Sequence, residues 1–184
     1  MTRFPKPGLV LAAVWPAGVG SLAVLYATVG DGAWTRRSAI AWMMGSWGAR
    51  LTVQTLYTRR SDLLFLTSYF RLLASVLFFS LPAWFASRNP EPSLAAVEIG
   101  ASALWVIAFA VETTADRQLL RFTSKPENAG LTCRSGMWRV MPQAHAGGEA
   151  LIWTAFALFA SGSPWGWTVF ACPAAMLYLL TRRC

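Results

Sequence analysis

The chain has 184 residues, of which 55% are hydrophobic and 13% are charged, and its mean hydropathy is +0.44. Soluble domains carry about 25% charged residues, so this composition excludes a soluble globular domain and predicts an all-α integral membrane protein. The net charge of +8 comes from Lys and Arg that punctuate apolar runs, which argues against nucleic-acid binding. The chain has one histidine and an odd number of cysteines, three, without paired spacing. Neither a metal site nor a disulfide framework is therefore expected.

Apolar runs along the chain predict the membrane-spanning helices, each of which needs about 20 residues. The first four are Gly8–Thr28, Ser38–Tyr57, Leu63–Ala86 and Leu94–Val111. The last run, Ala150–Leu180, is interrupted by a Gly/Ser/Pro cluster at Ser161–Trp167, which predicts a turn. We therefore expect one membrane domain (residues 1–184) of about six transmembrane helices, the last two forming a short hairpin.

Basic residues predict the orientation, because Lys and Arg collect on the cytoplasmic side of membrane proteins. With the N-terminus in the cytoplasm, the cytoplasmic group is Arg3, Lys6, Arg59, Arg60, Arg117, Arg121, Lys125, Arg134, Arg139, Arg182 and Arg183. The outer group is then Arg36, Arg37 and Arg88. Both termini and the polar segment (residues 112–148) are expected in the cytoplasm, with the bacterial inner membrane as the expected location.

Ionisable residues within the apolar runs are costly and usually have a partner or a function. Arg50 lies deep in the second run, where it is expected either to pair with Glu112 or Asp62 or to line a polar cavity that receives an anionic group. Glu98, near the outer end of the fourth run, is expected to reach the membrane interface.

The polar segment holds the remaining candidates for chemistry. Glu112 and Asp116 are four residues apart, so they share one face of a helix and form either an acid/base pair or, more commonly, partners for arginine. His145 is surrounded by alanines and glycines, which predicts a loop leading into the fifth helix and an exposed side chain.

Three sequence elements resemble motifs of the steroid 5-alpha-reductase superfamily, in particular its small bacterial membrane members. They are WGARL at Trp47–Leu51, VETTADRQLLRF from Val111 followed by an Asn128 turn, and GMWR from Gly136 followed by Glu149. The resemblance covers residues 34–180.

The resemblance implies an NADPH-dependent reductase that acts on a conjugated carbon–carbon double bond of a lipid-like enone. In such enzymes cytoplasmic loops hold the cofactor, the substrate enters from the bilayer, and an acid on the protein polarises the carbonyl. By position, the residues that match the cofactor region are Arg50, Asp116, Asn128 and Arg139, with His145 standing where the family has Asn. Glu112 and Glu149 are the candidates for catalysis. Arginine also suits a phosphate-rich cofactor.

The sequence departs from the family pattern in two places. Residues 142–146 read PQAHA where the family has R-H-P-N-Y, and the given sequence ends at Cys184, where family members continue into a basic, Tyr-containing tail. Two alternatives therefore remain open: a non-catalytic relative that acts as a membrane interaction protein, and a lipid or isoprenoid methyltransferase with a similar R-H-P-x-Y loop. The ADRQ element favours the reductase over the methyltransferase.

Overall fold

The computed structural model describes residues 7–58, 68–128, 130–141 and 144–181 of the chain. Within these ranges the chain is helical and contains no β-strand, which confirms the all-α prediction. The helices are α1 (Pro7–Val29), α2 (Trp34–Thr58), α3 (Tyr69–Phe79), α4 (Leu81–Ala86), α5 (Ala96–Thr123), α6 (Met137–Val140), α7 (Ala144–Ser161) and α8 (Ala171–Thr181). Short 3-10 turns occupy Pro126–Asn128 and Gly166–Phe170.

Three stretches of the described chain are long and apolar enough to cross a membrane: Leu9–Val29, Tyr69–Ala86 and Ala96–Thr123. Two further apolar stretches, Ala146–Ser161 and Gly166–Thr181, are shorter. Helix α2 has the length of a span, but it carries three arginines. The helices are compatible with a membrane protein, and the count of six remains a prediction.

Helix boundaries differ from the predicted runs in three places. The third run is described only from Ser68 onward, and there it divides at Ser80 into α3 and α4, with Pro82 in the first turn of α4. Helix α5 continues past Val111 to Thr123, so much of the polar segment is helical. The loop predicted around His145 was wrong, because α7 already begins at Ala144.

The final hairpin was predicted correctly in its outline. Helix α7 ends at Ser161, a turn and a 3-10 segment follow, and α8 begins at Ala171. Trp165 adopts a left-handed backbone conformation with φ of 61°, and Gly166 follows it because a Cβ there would overlap the Ala160 carbonyl oxygen. A tight reversal of the chain therefore joins the two short helices.

A cluster of aromatic rings forms the centre of the bundle. Trp153 of α7 packs edge-to-face on Trp47 of α2, with ring centroids 5.2 Å apart, and on Phe79 of α3 at 4.6 Å. Trp15 of α1 and Phe156 of α7 complete the cluster, and all five side chains are buried. Rings in this geometry attract each other beyond the area they bury, so they fix α1, α2, α3 and α7 around one point.

Helices α1 and α2 approach each other closely through small residues. An added Cβ at Gly48 would lie 2.5 Å from the Pro16 carbonyl oxygen and 3.1 Å from the Cα of Gly20, both backbone atoms of α1. Close backbone contact of this kind is a common way for membrane helices to associate.

Gly48→Ala is expected to lower the free energy of unfolding by about 1–3 kcal/mol, because backbone atoms of α1 must move to accommodate the methyl group. The matched control is Gly100→Ala on the exposed side of α5, where an added Cβ meets nothing within 4 Å and should stabilise the helix by up to about 1 kcal/mol. Thermal unfolding in detergent measures both changes, and equal melting temperatures for the two variants would contradict the close α1–α2 contact.

Candidate active site

Arg50 is the centre of a buried ionic cluster. From α2 its guanidinium forms ion pairs with Glu112 at 2.5 Å and with Asp116 at 2.8 Å, both on α5. The spacing of the two acids places them on one helix face, as predicted. Glu112 is fully buried and Asp116 is 6% exposed. The face of the Phe109 ring lies 5.2 Å from the guanidinium carbon, which adds a cation–π contact.

Glu149 on α7 brings a third carboxylate to this end of the bundle. Its two oxygens accept hydrogen bonds from the indole N–H groups of Trp153 at 2.9 Å and Trp47 at 3.3 Å. Trp47 precedes Arg50 by three residues on α2 and so lies on the same side of that helix. Glu149 is therefore held beside the Arg50 cluster by the aromatic core.

Gly148 explains how α7 comes so close to Glu112. A Cβ at position 148 would lie 2.9 Å from the Cβ of Glu112, so only glycine fits at this contact without displacing α5. Gly148 thus serves helix packing, and both Gly147 and Gly148 lie inside α7 rather than in a loop.

Carboxylates outnumber cations in the part of the cluster that the structure describes. There, three buried carboxylates (Glu112, Asp116 and Glu149) lie around the guanidinium of Arg50. Buried charge is costly unless it is compensated, so this arrangement favours either a positive charge nearby or a proton held on a carboxyl oxygen. It does not favour a phosphate group.

The chain after α5 folds back onto the helix beside this cluster. Gln118 accepts a hydrogen bond from the backbone N–H of Met137 at 2.8 Å, and the Trp138 indole donates to the Ala115 carbonyl at 2.9 Å. Gly136 has a positive φ of 58°. These contacts place α6, and with it the exposed side chain of Arg139, next to the turn of α5 that carries Asp116.

The predicted site residues fall into two groups. Arg50, Glu112, Asp116 and Glu149 meet in one cluster. Arg139 is exposed on α6, which packs on α5 through Trp138. Asn128 is separate, because its side-chain amide donates to the Phe122 carbonyl at 2.8 Å and closes the end of α5. His145 lies in the first turn of α7, and its side chain falls outside the described part of the chain.

The structure also shows the partners of Arg50 and Glu98. Arg50 pairs with Glu112 as expected, whereas Asp62 lies outside the described residues. The expectation that Glu98 reaches the interface was wrong: it is fully buried and binds Arg36 at 2.6 Å and 2.7 Å through two guanidinium nitrogens. A buried bidentate partner compensates its charge better than the membrane interface would.

Sequence reasoning did not predict that three further residues belong to the site: Trp47, Trp153 and Gln118. Trp153 follows Glu149 by four residues and Trp47 precedes Arg50 by three, so helical spacing alone could have placed each tryptophan beside its charged neighbour. The hydrogen bond of Gln118 to Met137 depends on the fold of the intervening turn, which no local spacing indicates.

Comparison with known families adds one assignment. Residues 58–184 match a family described as Protein of unknown function (DUF1295). The chain belongs to the DUF1295 family. No match is found among curated proteins or among solved structures. The DUF1295 match contains Glu112, Asp116 and Glu149, whereas Arg50 lies on α2 before the match begins.

Proposed function

We propose that this protein is a membrane-embedded, NADPH-dependent reductase of the steroid 5-alpha-reductase type that acts on a lipid-like enone. The main support is the convergence of three motif elements from distant parts of the chain. Arg50 of WGARL, Asp116 of ADRQ and the Glu149 that follows GMWR are brought to one buried cluster. The relation of DUF1295 to steroid 5-alpha-reductase-like proteins supports the same reading.

The membrane arrangement that accompanies this proposal has six crossings. Both termini and the polar segment lie in the cytoplasm, in a bacterial inner membrane. Helices α2, α5 and α7 then present the cluster toward the cytoplasmic side, where a nucleotide cofactor is available.

The residues present fit the two ends of NADPH differently. The phosphates suit the exposed basic side chains of the polar segment, which are Arg117, Arg121, Lys125, Arg134 and Arg139. The nicotinamide end suits the carboxylate cluster, because carboxylates favour the positive charge that accompanies hydride donation. Arg50 is already paired with two carboxylates, so its role is to hold the cluster together rather than to bind phosphate.

When bound, NADPH would supply the hydride for the β carbon of the enone. The chain's own residues would do the rest. A carboxyl oxygen of Glu149 would hold the proton that polarises the substrate carbonyl, as general acid catalysis requires, while Glu112 pairs with Arg50. Trp47 and Trp153 would orient Glu149 and exclude water from its oxygens.

A non-catalytic role is the second candidate, and one observation favours it. Pro142, Gln143 and Ala146 stand where the family's R-H-P-N-Y motif has Arg, His and Tyr, the side chains that could contact a cofactor or donate a proton. A relative without these groups would serve as a membrane interaction protein.

Binding of NADPH to the purified protein in nanodiscs tests the proposal. We expect saturable binding that weakens about tenfold or more in Arg139→Ala, because a charge-assisted hydrogen bond is lost. Asp116→Ala should weaken it as well by disrupting the Arg50 cluster. The matched control is Arg88→Ala, which removes an exposed arginine beyond the other end of the bundle and should leave binding unchanged.

Other outcomes identify the alternatives. No binding at millimolar NADPH would contradict the reductase and support the non-catalytic role. Saturable binding of S-adenosylmethionine in place of NADPH would support the methyltransferase.

A further inference from the structure

Helix α5 presents one exposed stripe along most of its length. Successive members are three or four residues apart, which places them on one face of the helix, and all of them are exposed. We call this face the α5 stripe; it consists of Ile99, Ala103, Ile107, Ala110, Thr114, Arg117 and Arg121. Glu112 is fully buried on the opposite face, since helical spacing turns it about 180° away from Arg121.

The chemistry of the stripe changes once along the helix. Every member from Ile99 to Ala110 is apolar, Thr114 follows, and the last two are arginines. Arg117 lies about 30 Å along the axis from Ala96, where α5 begins, and this distance matches the thickness of the hydrocarbon core of a bilayer. Arg121 is about 6 Å further, which is within the headgroup layer. In a helix that crosses the membrane, the stripe therefore faces acyl chains along its apolar part and headgroups at its two arginines.

The two arginines repel each other unless an anion lies between them. Arg117 and Arg121 are one turn apart, a spacing at which like charges destabilise a helix. Neither forms an ion pair with a residue that the structure describes. The acids that precede them on α5, Glu112 and Asp116, are buried and pair with Arg50 instead. The described part of the chain thus leaves two adjacent positive charges exposed and uncompensated.

We propose that the α5 stripe binds an anionic glycerophospholipid of the surrounding membrane, with its phosphate between Arg117 and Arg121. Charge complementarity supports the headgroup end, because guanidinium groups form strong, directional hydrogen bonds with phosphate oxygens. Basic residues that directly follow a membrane helix are attracted to anionic lipids for the same reason. The exposed apolar side chains of Ala103, Ile107 and Ala110 then contact an acyl chain of the same lipid molecule.

The continuity of the stripe favours a lipid over a soluble phosphate. A phospholipid joins a phosphate to an acyl chain, just as the stripe joins two arginines to an apolar face, whereas a soluble phosphate uses the arginines alone. The Arg50 cluster, which the proposed function assigns to the nicotinamide, contacts the opposite face of α5. The inference goes beyond the proposed function: it assigns Arg117 and Arg121 to a lipid and leaves Arg139 of α6 to the cofactor.

The headgroup preference of the protein, measured by native mass spectrometry, tests the proposal. The nanodiscs contain equal amounts of phosphatidylglycerol and phosphatidylcholine with identical acyl chains, and the lipids that the released protein retains are counted. Both lipids have a phosphate, but the choline group cancels its negative charge. Wild-type protein is expected to retain phosphatidylglycerol about tenfold more strongly, because two basic side chains face one anionic headgroup. In Arg117→Gln/Arg121→Gln this preference should fall to about twofold or less.

The matched control is Arg134→Gln/Arg139→Gln, which removes the same charge from two exposed arginines outside the α5 stripe and should keep the wild-type preference. All four arginines are exposed, so both double variants are expected to fold. The proposal is overturned if wild type shows no preference, or if the control loses the preference as fully as Arg117→Gln/Arg121→Gln. Net charge alone would then explain the lipid binding.

Competition with NADPH or glycerophosphate at millimolar concentration distinguishes a lipid from a soluble phosphate. Retention of phosphatidylglycerol that neither compound changes supports the lipid, whereas displacement by either assigns the arginines to a soluble phosphate and overturns the proposal. The two proposals also fail separately. A protein that prefers phosphatidylglycerol but does not bind NADPH has the α5 stripe without the reductase function. A protein that binds NADPH without a headgroup preference retains the reductase function and loses the lipid site.

Discussion

Arg50→Met is expected to lower the free energy of unfolding by about 3–5 kcal/mol, the range for removing one partner from a buried ion pair. The loss is large because the guanidinium that pairs with Glu112 and Asp116 is removed while Glu112, Asp116 and Glu149 stay buried. Removing Glu112 as well, in Arg50→Met/Glu112→Leu, should recover little stability, since Asp116 and Glu149 stay buried without the guanidinium of Arg50. Unfolding of the detergent-solubilised protein, followed by tryptophan fluorescence, measures both variants.

Arg121→Met is the control for this prediction, because Arg121 is exposed near the end of α5 and should change stability little. If Arg50→Met unfolds at the same temperature as Arg121→Met, the cluster does not contribute to stability as its geometry indicates.

Arg36→Met is likewise expected to cost about 3–5 kcal/mol, because Glu98 is left as an unpaired, fully buried charge. In contrast to the Arg50 cluster, the double variant Arg36→Met/Glu98→Leu should recover most of this loss. No charge then remains in the site, and replacing a whole buried pair by apolar residues is often neutral. What is not recovered is the hydrogen bond that Glu98 accepts from the Ala95 N–H at 2.6 Å and that of Arg36 to the Ser93 carbonyl at 2.7 Å.

The exposed pair Lys125–Glu127, at 3.6 Å, is the reference for this experiment. Lys125→Met should have no measurable effect, because water screens the charges of surface pairs. If Arg36→Met/Glu98→Leu is as unstable as Arg36→Met alone, the loss of stability comes from packing rather than from the unpaired charge of Glu98.

The partners in these two buried ion pairs could be predicted from the sequence only in part. That Arg50 needs a partner, and that Glu112 is a candidate, follows from the cost of charge in an apolar run. For Glu98 the same reasoning led to the membrane interface instead, because local sequence contains no sign of a partner. Arg36 is 62 residues away, and only the parallel packing of α2 and α5 brings the two together.

The helix boundaries, too, could be predicted from the sequence only in part. The hairpin of α7 and α8 follows from its Gly/Ser/Pro turn, which breaks helices wherever it occurs. The start of α7 at Ala144 does not follow from the sequence, because Gly147 and Gly148 weaken a helix in isolation. At Gly148 the missing Cβ becomes favourable only because α7 packs against α5, where a Cβ would lie 2.9 Å from the Cβ of Glu112.

By itself the sequence determined that the chain is helical and apolar, and that its candidate residues lie in WGARL, ADRQ and the approach to Glu149. Those properties depend on composition and on spacing within one helix, where neighbours are fixed by covalent geometry. Only the tertiary structure decided that Arg50 lies beside the carboxylates of Glu112 and Asp116 and that Arg36 pairs with Glu98. Such contacts join residues far apart in the chain, and helix packing sets them.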